Sequence, residues 1–145
     1  MSCFFLFGIV VGCSVHSSDM EKKGGITRIN LCPKSPNCVS SLDLDDQHFI
    51  APLSYTGSKK VAYRTLVDII ESEPRARIVT MQTNYIRFES KTKVFGFIDD
   101  VEFFFSPDKP VIHLRSASRK GYYDFGVNRR RIEAIRKSLS ASPIR

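Results

Sequence analysis

The sequence has no tryptophan, three histidines and four cysteines among its 145 residues. His16, His48 and His113 are scattered, so no zinc site built from two closely spaced ligand pairs is legible and no metal is expected. No apolar run reaches the roughly eighteen residues that a membrane-spanning helix needs. No internal repeat is visible, and no basic motif interleaved with aromatics points to nucleic acid. Nucleic acid is therefore not an expected partner, and no cofactor is expected. The residues say nothing of oligomeric state.

What is present suits one ordinary domain. Hydrophobic residues make up 42% of the chain and include 11 Phe, enough for a real core and too many for wholesale disorder. The net charge of +7 is uneven. From Lys109 onward there are 10 Lys+Arg against 2 Asp+Glu, or +8, while the preceding residues carry 12 against 13, or −1. The excess is all C-terminal, and such a face attracts phosphates, anionic lipids or acidic partners without choosing among them.

The N-terminus reads as an export signal. Residues 3–12 are apolar, about the length of a signal-peptide core, and Val10-Val11-Gly12-Cys13 resembles a bacterial lipobox. On this reading residues 1–12 are a signal peptide and Cys13 carries a lipid. Residues 13–30 form a polar tether containing Gly24-Gly25, and 31–145 form a single α+β domain. Ser14 after the anchor implies the outer membrane, facing the periplasm. No Lys or Arg precedes Phe4, so the basic n-region is missing, which a start codon placed too far downstream accounts for. An N-terminal strand or a plain secretory peptide is the alternative. Cys32 and Cys38 remain as the mature pair, with Pro33 and Pro36 restricting the loop between them. A disulfide suits an oxidising compartment, and free thiols are the other reading. The spacing of five residues does not fit a thioredoxin-like motif.

The folded part predicts a helix from Ser58 as cap through Lys59 to Ser72, stopped by Pro74, with Ala62, Leu66, Ile69 and Ile70 as its apolar stripe. Strands follow at Arg77–Thr83, Tyr85–Ser90, Val94–Phe105 and Val111–Ser118. In the third, Phe95, Phe97, Val101, Phe103 and Phe105 alternate. A closing helix spans Gly126 to Leu139. The order predicts a four-stranded antiparallel sheet covered on one face by two helices, after an extended N-terminal segment.

Three blocks recur in one order: Cys32-Pro33-Lys34-Ser35-Pro36-Asn37-Cys38-Val39-Ser40-Ser41; Phe95-Gly96-Phe97-Ile98-Asp99-Asp100-Val101-Glu102-Phe103; and Arg115-Ser116-Ala117-Ser118-Arg119 with Gly121-Tyr122-Tyr123-Asp124-Phe125-Gly126-Val127-Asn128-Arg129. Over about Leu31 to Lys137 the chain resembles the domain-of-unknown-function family numbered fourteen ninety-nine, found in bacterial envelopes and in plastids. The resemblance implies no activity.

The densest polar constellation runs from Arg115 to Arg131. Arginines at a helix N-terminus oppose the helix dipole, at roughly 0.3–1 kcal/mol each when exposed, so something should offset them. An anion or lipid headgroup held by Arg115, Ser116, Ser118, Arg119, Asp124, Asn128 and Arg129 is one answer, with Arg115, Arg119 and Arg129 converging where the last strand meets the last helix. Internal pairing is the other: Arg115 or Arg129 with Asp99, Asp100, Glu102 or Asp124, and Asn128 as a cap. Arg136 reads as a solvated helix residue. By alternation Asp100 and Glu102 share one face, while Asp99 joins the phenylalanines. These readings favour a noncatalytic envelope module binding an anion, headgroup or envelope protein through a basic face. The alternative is a small envelope enzyme using Asp99, Asp100 and Glu102 with an arginine clamp. His113 shares no strand face with Ser116 or Ser118, which weakens a serine hydrolase, and His48 reads as structural.

Overall fold

The computed structural model describes residues 29–142. Its elements are β1 (Cys38–Ser40), β2 (Leu53–Ser54), α1 (Lys59–Ser72), β3 (Ala76–Gln82), β4 (Tyr85–Lys91), β5 (Ile98–Phe105), β6 (Val111–Ser118) and α2 (Val127–Ala141). The fold is α+β. The antiparallel sheet has six strands, not the expected four: its order is β1-β6-β5-β4-β3, with β2 also pairing β6. The two extra strands have only three and two residues, too few to carry a readable alternation. The signal peptide, the Cys13 anchor and nearly all of the tether lie outside the described residues.

Local chemistry explains the main elements. Ser58 caps α1 by accepting a hydrogen bond from Val61 N at 3.2 Å, as its position predicts. The helix ends at Ser72, two residues before Pro74. Thr83-Asn84 connects Gln82 to its partner Tyr85 as a two-residue hairpin. The predicted strand from Val94 begins only at Ile98. Gly96 has φ +65°, which breaks the extended backbone and turns residues 92–97 into a loop. Phe95 and Phe97, expected to be half-buried in a strand, are instead 73% and 42% exposed.

Alternation divides the rest of the sheet into two faces. Val101, Phe103 and Phe105 on β5, Ile112 and Leu114 on β6, and Ile86 and Phe88 on β4 point toward the helices. Ala62, Leu66 and Ile70 of α1, with Ile132, Ile135 and Leu139 of α2, close over them. Each large side chain fully buried here contributes about 1.5–3 kcal/mol. Both helices thus lie on one face, as predicted. The other face carries mostly polar and charged side chains, with Tyr85 and Phe104 among them, and among the described residues no helix lies over it; an uncovered face of this kind is one that antiparallel sheets tolerate. Cys32 and Cys38 form a disulfide with a Cα–Cα separation of 5.7 Å.

Candidate functional site

The start of α2 sits on a buried polar cluster at one end of the sheet. Asp99, Ser116 and Asn128 are each fully buried. Arg131 reaches beneath its own helix and donates to Asp99 Oδ2 at 2.6 Å, Asn128 Oδ1 at 2.7 Å and Ser116 Oγ at 3.1 Å. Asn128 Nδ2 donates to Asn37 O, Ser118 Oγ and Asp124 Oδ2. Asn128 is thus a core residue rather than the cap. The capping role falls to Asp124, whose carboxylate accepts from Gly126 N and Asn128 N, both at 2.9 Å. A carboxylate at this terminus also complements the helix dipole.

The predicted convergence of Arg115, Arg119 and Arg129 does not occur. Arg115 and Arg119 lie on the uncovered face, because they sit one residue out of phase with Ser116 and Ser118. Arg115 pairs with Glu102 at 3.2 Å, and Tyr85 OH donates to the same carboxylate at 2.7 Å. Arg119 bonds Asp100 and Glu89, while Arg87 bonds Asp100 at 2.7 Å and Arg77 bonds Glu89 at 2.7 Å. The hydrogen bonds from Arg119 hold the carboxyls of Asp100 and Glu89 below their ordinary range, with Arg87 and Arg77 adding to it. Burial, with the Glu102 hydrogen bond, pushes the Tyr85 hydroxyl up. Arg129 turns instead to the main chain, donating to Gln47 O at 3.2 Å and Phe49 O at 2.9 Å. Arg130 donates to Phe125 O at 2.8 Å. Carbonyl and carboxylate partners therefore offset the three arginines that open α2. Arg136 is not merely solvated: it bonds Pro52 O at 2.7 Å and Ala51 O at 2.6 Å.

The three acidic candidates divide as alternation predicts. Asp99 faces the helices, whereas Asp100 and Glu102 face away, so they share no cleft. Ser116 is held by Asn128 at 2.6 Å, and His113 lies near Ser41 instead, at 3.3 Å. His48 is satisfied by Asp45 at 2.8 Å and Ser35 O at 3.1 Å. Burial opposes charging its ring, but those partners outweigh it and its pKa is raised. Among the described residues no group of three or more His, Cys, Asp or Glu is placed to hold a metal, and no helix is long and apolar enough to cross a membrane.

One concavity opens beside the buried cluster. A pocket of about 580 Å³ lies between α2, the β4–β5 loop and the β6–α2 loop. Asp99, Ser118, Asp124 and Arg131 give it polar walls. Phe88 and Ile135 line it from the core side, and Phe95, Phe97, Tyr123 and Phe125 line it from the loops. Arg75, Lys91, Lys93, Lys120 and Arg130 add positive charge, against Glu73. Asp99 is wholly buried, and its Oδ1 has no hydrogen-bond partner among the described residues. Sequence reading singled out Asp99, Ser118 and Asp124, placed Arg131 in the polar run without giving it a role, and did not assign the aromatic wall. The helical stripe held a signal for the arginine. Counting back from Ile135 and Ile132 by three or four residues lands on Arg131 and Asn128.

The molecule is therefore a small α+β domain with a half-covered antiparallel sheet and a pocket that combines aromatic walls with basic residues. It belongs to the family described as protein of unknown function (DUF1499), whose family model matches residues 28–139. No curated protein matches it.

Proposed function

We propose that this protein is a noncatalytic binding module of the cell envelope, and that its pocket takes an anionic amphiphile. The observation that carries this is the pocket's composition. Six Lys or Arg side chains and three Asp or Glu line a space that also contains Phe88, Phe95, Phe97 and Phe125. Pockets of this size suit a small molecule, with apolar walls supplying affinity and a few polar groups fixing orientation. The excess of cations favours a phosphate, sulfate or carboxylate head, and the rings favour an aliphatic or aromatic body. The C-terminal excess of basic residues enters here through Lys120, Arg130 and Arg131. Arg115 and Arg119, bound to carboxylates on the opposite face, play no part in it. A noncatalytic role is supported because Asp99 is held by Arg131 and shares no space with Asp100 or Glu102.

Isothermal titration with dodecyl phosphate tests the reading. Wild type should bind it, and Ala134→Trp, which places an indole against the pocket, should weaken binding at least about tenfold, equivalent to 1.4 kcal/mol. Lys120→Glu with Arg130→Glu should weaken it similarly. Arg77→Glu, on the uncovered face, should bind as wild type does. Binding unchanged by Ala134→Trp, or absent from wild type, refutes the proposal.

A further inference from the structure

We infer that the mouth of the pocket docks on an anionic lipid surface, bringing the pocket to the membrane from which its ligand comes. The surface is defined by its own side chains, and only its link to a ligand rests on the reading above. Val94, Phe95, Tyr122, Tyr123 and Phe125 are 80, 73, 65, 66 and 83% exposed. All five come from the β4–β5 and β6–α2 loops, which meet at one end of the sheet, where Arg119 N donates to Ile98 O. The backbone holds these rings outward. Gly96, at φ +65°, makes the turn that stacks Phe95 on Phe97 with ring centroids 5.5 Å apart. Phe125 adopts φ 52°, a conformation unfavourable for a bulky residue, while its ring stays in solvent. The same turn seats Asp124 to cap α2 and offers Phe125 O to Arg130, so the backbone that starts the helix also fixes the ring outward.

Charge complementarity selects the occupant. Arg75, Lys91, Lys93, Lys120 and Arg130 line the same pocket against exposed Glu73, and the carboxylate of Asp124 is occupied in capping α2. Rings at loop tips, with long basic side chains beside them, match the bilayer interface. Aromatic rings rest among the headgroups there, and lysines reach the anionic phosphates. The N-terminal segment passes this same end, where Asn37 Nδ2 donates to Gly121 O at 2.6 Å. An anchor upstream at Cys13 and the aromatic mouth could therefore act on one bilayer.

The absence of tryptophan makes the test direct. Phe125→Trp and Met81→Trp are introduced singly into the full-length chain, Met81 lying beside the hairpin turn at the opposite end of the sheet. Each is mixed with vesicles of brominated phosphatidylglycerol or brominated phosphatidylcholine. Every variant also carries Cys13→Ser, so that a lipid at that position does not set the partitioning. Trp fluorescence from position 125 should shift to the blue and be quenched by the phosphatidylglycerol vesicles, while that from position 81 should do neither. Adding Lys93→Gln and Lys120→Gln should raise the lipid concentration for half-quenching about thirtyfold, from a factor of about five per basic residue at an anionic surface. No quenching at position 125 overturns the inference and leaves the aromatic mouth to a protein partner. Equal quenching by both lipids, unaffected by the Gln variants, also overturns it, because charge then plays no part. Dodecyl phosphate binding without quenching refutes the docking alone, whereas quenching without dodecyl phosphate binding refutes the pocket reading alone.

Discussion

Arg131 and Asp99 are 32 residues apart in the chain, yet they meet at 2.6 Å beneath the first turns of α2, where the carboxylate is fully buried and the guanidinium side chain only 14% exposed. The pair pins the helix to the sheet at the edge of the pocket. A buried pair of this kind adds little over a well-packed apolar pair, but removing one partner leaves an uncompensated buried charge. Arg131→Met should therefore destabilise the domain by about 3–5 kcal/mol in urea unfolding. Combining it with Asp99→Leu should recover a large part of that loss. A double variant no more stable than Arg131→Met would show that the contribution of Arg131 is not the pairing.

Asp124 and Asn128 serve the same helix start in different ways, and the difference is measurable. Asp124→Ala removes a cap and should cost about 0.5–2 kcal/mol. Asn128→Ala takes one partner each from Ser116, Asn37 O and Arg131 and leaves Ser118 Oγ with none among the described residues, so it should cost more, at about 1–3 kcal/mol for each group left unsatisfied. Equilibrium unfolding that ranks Asp124→Ala as the worse variant would contradict this.

The sequence was most legible where one periodicity ran unbroken. In α1 and β6 the apolar spacing, the Ser58 cap and the turn residues agree, and both elements have the predicted bounds. The failures have local physical causes. Phe95 and Phe97 continue the alternation of β5 in sequence, but a positive-φ glycine between them ends it in space. In the candidate site, alternation separated Asp99 from Asp100 and Glu102 correctly. Applied equally to β6, it would have separated Arg115 from Ser116. Proximity in sequence to the loop at residues 119–126 suggested a convergence that the two faces of the sheet forbid.

Acid should weaken the uncovered face. The carboxyls of Asp100 and Glu89 have folded pKa values below their unfolded values of about 4. Their contribution is therefore present above that range and is lost as pH falls through the folded pKa values. The melting temperature should fall on acidification below about pH 4, and Asp100→Asn should flatten that limb while lowering stability at neutral pH. An acid limb of unchanged slope in the variant would assign the effect to other groups.

Reducing the Cys32–Cys38 bridge should cost about 2 kcal/mol, because closing so short a ring removes only modest entropy from the unfolded chain. The protein should stay folded in dithiothreitol at room temperature and melt earlier. Complete unfolding on reduction would show that the bridge stabilises more than its own loop.

Arg119 and Arg136 are both partly exposed arginines with several acceptors, and salt should tell them apart. Arg119 acts through the charges of Asp100 and Glu89, and its side chain is 40% exposed. Mobile ions screen such a pair, and the Debye length falls from about 10 Å at 0.1 M to about 3 Å at 1 M. Arg136 bonds neutral carbonyls, Ala51 O and Pro52 O, and ties the segment before β2 to the middle of α2. Those bonds depend on geometry more than on net charge, so added ions weaken them little. Arg136→Ala should cost about 1.5–3 kcal/mol, as for hydrogen bonds to a charged group, and the loss should persist at 1 M NaCl. The destabilisation by Arg119→Ala should shrink clearly over the same range. Urea melts of both variants at low and high salt decide the matter, and equal salt dependence would mean that Arg136 acts through Glu133, 3.0 Å away, rather than through the carbonyls.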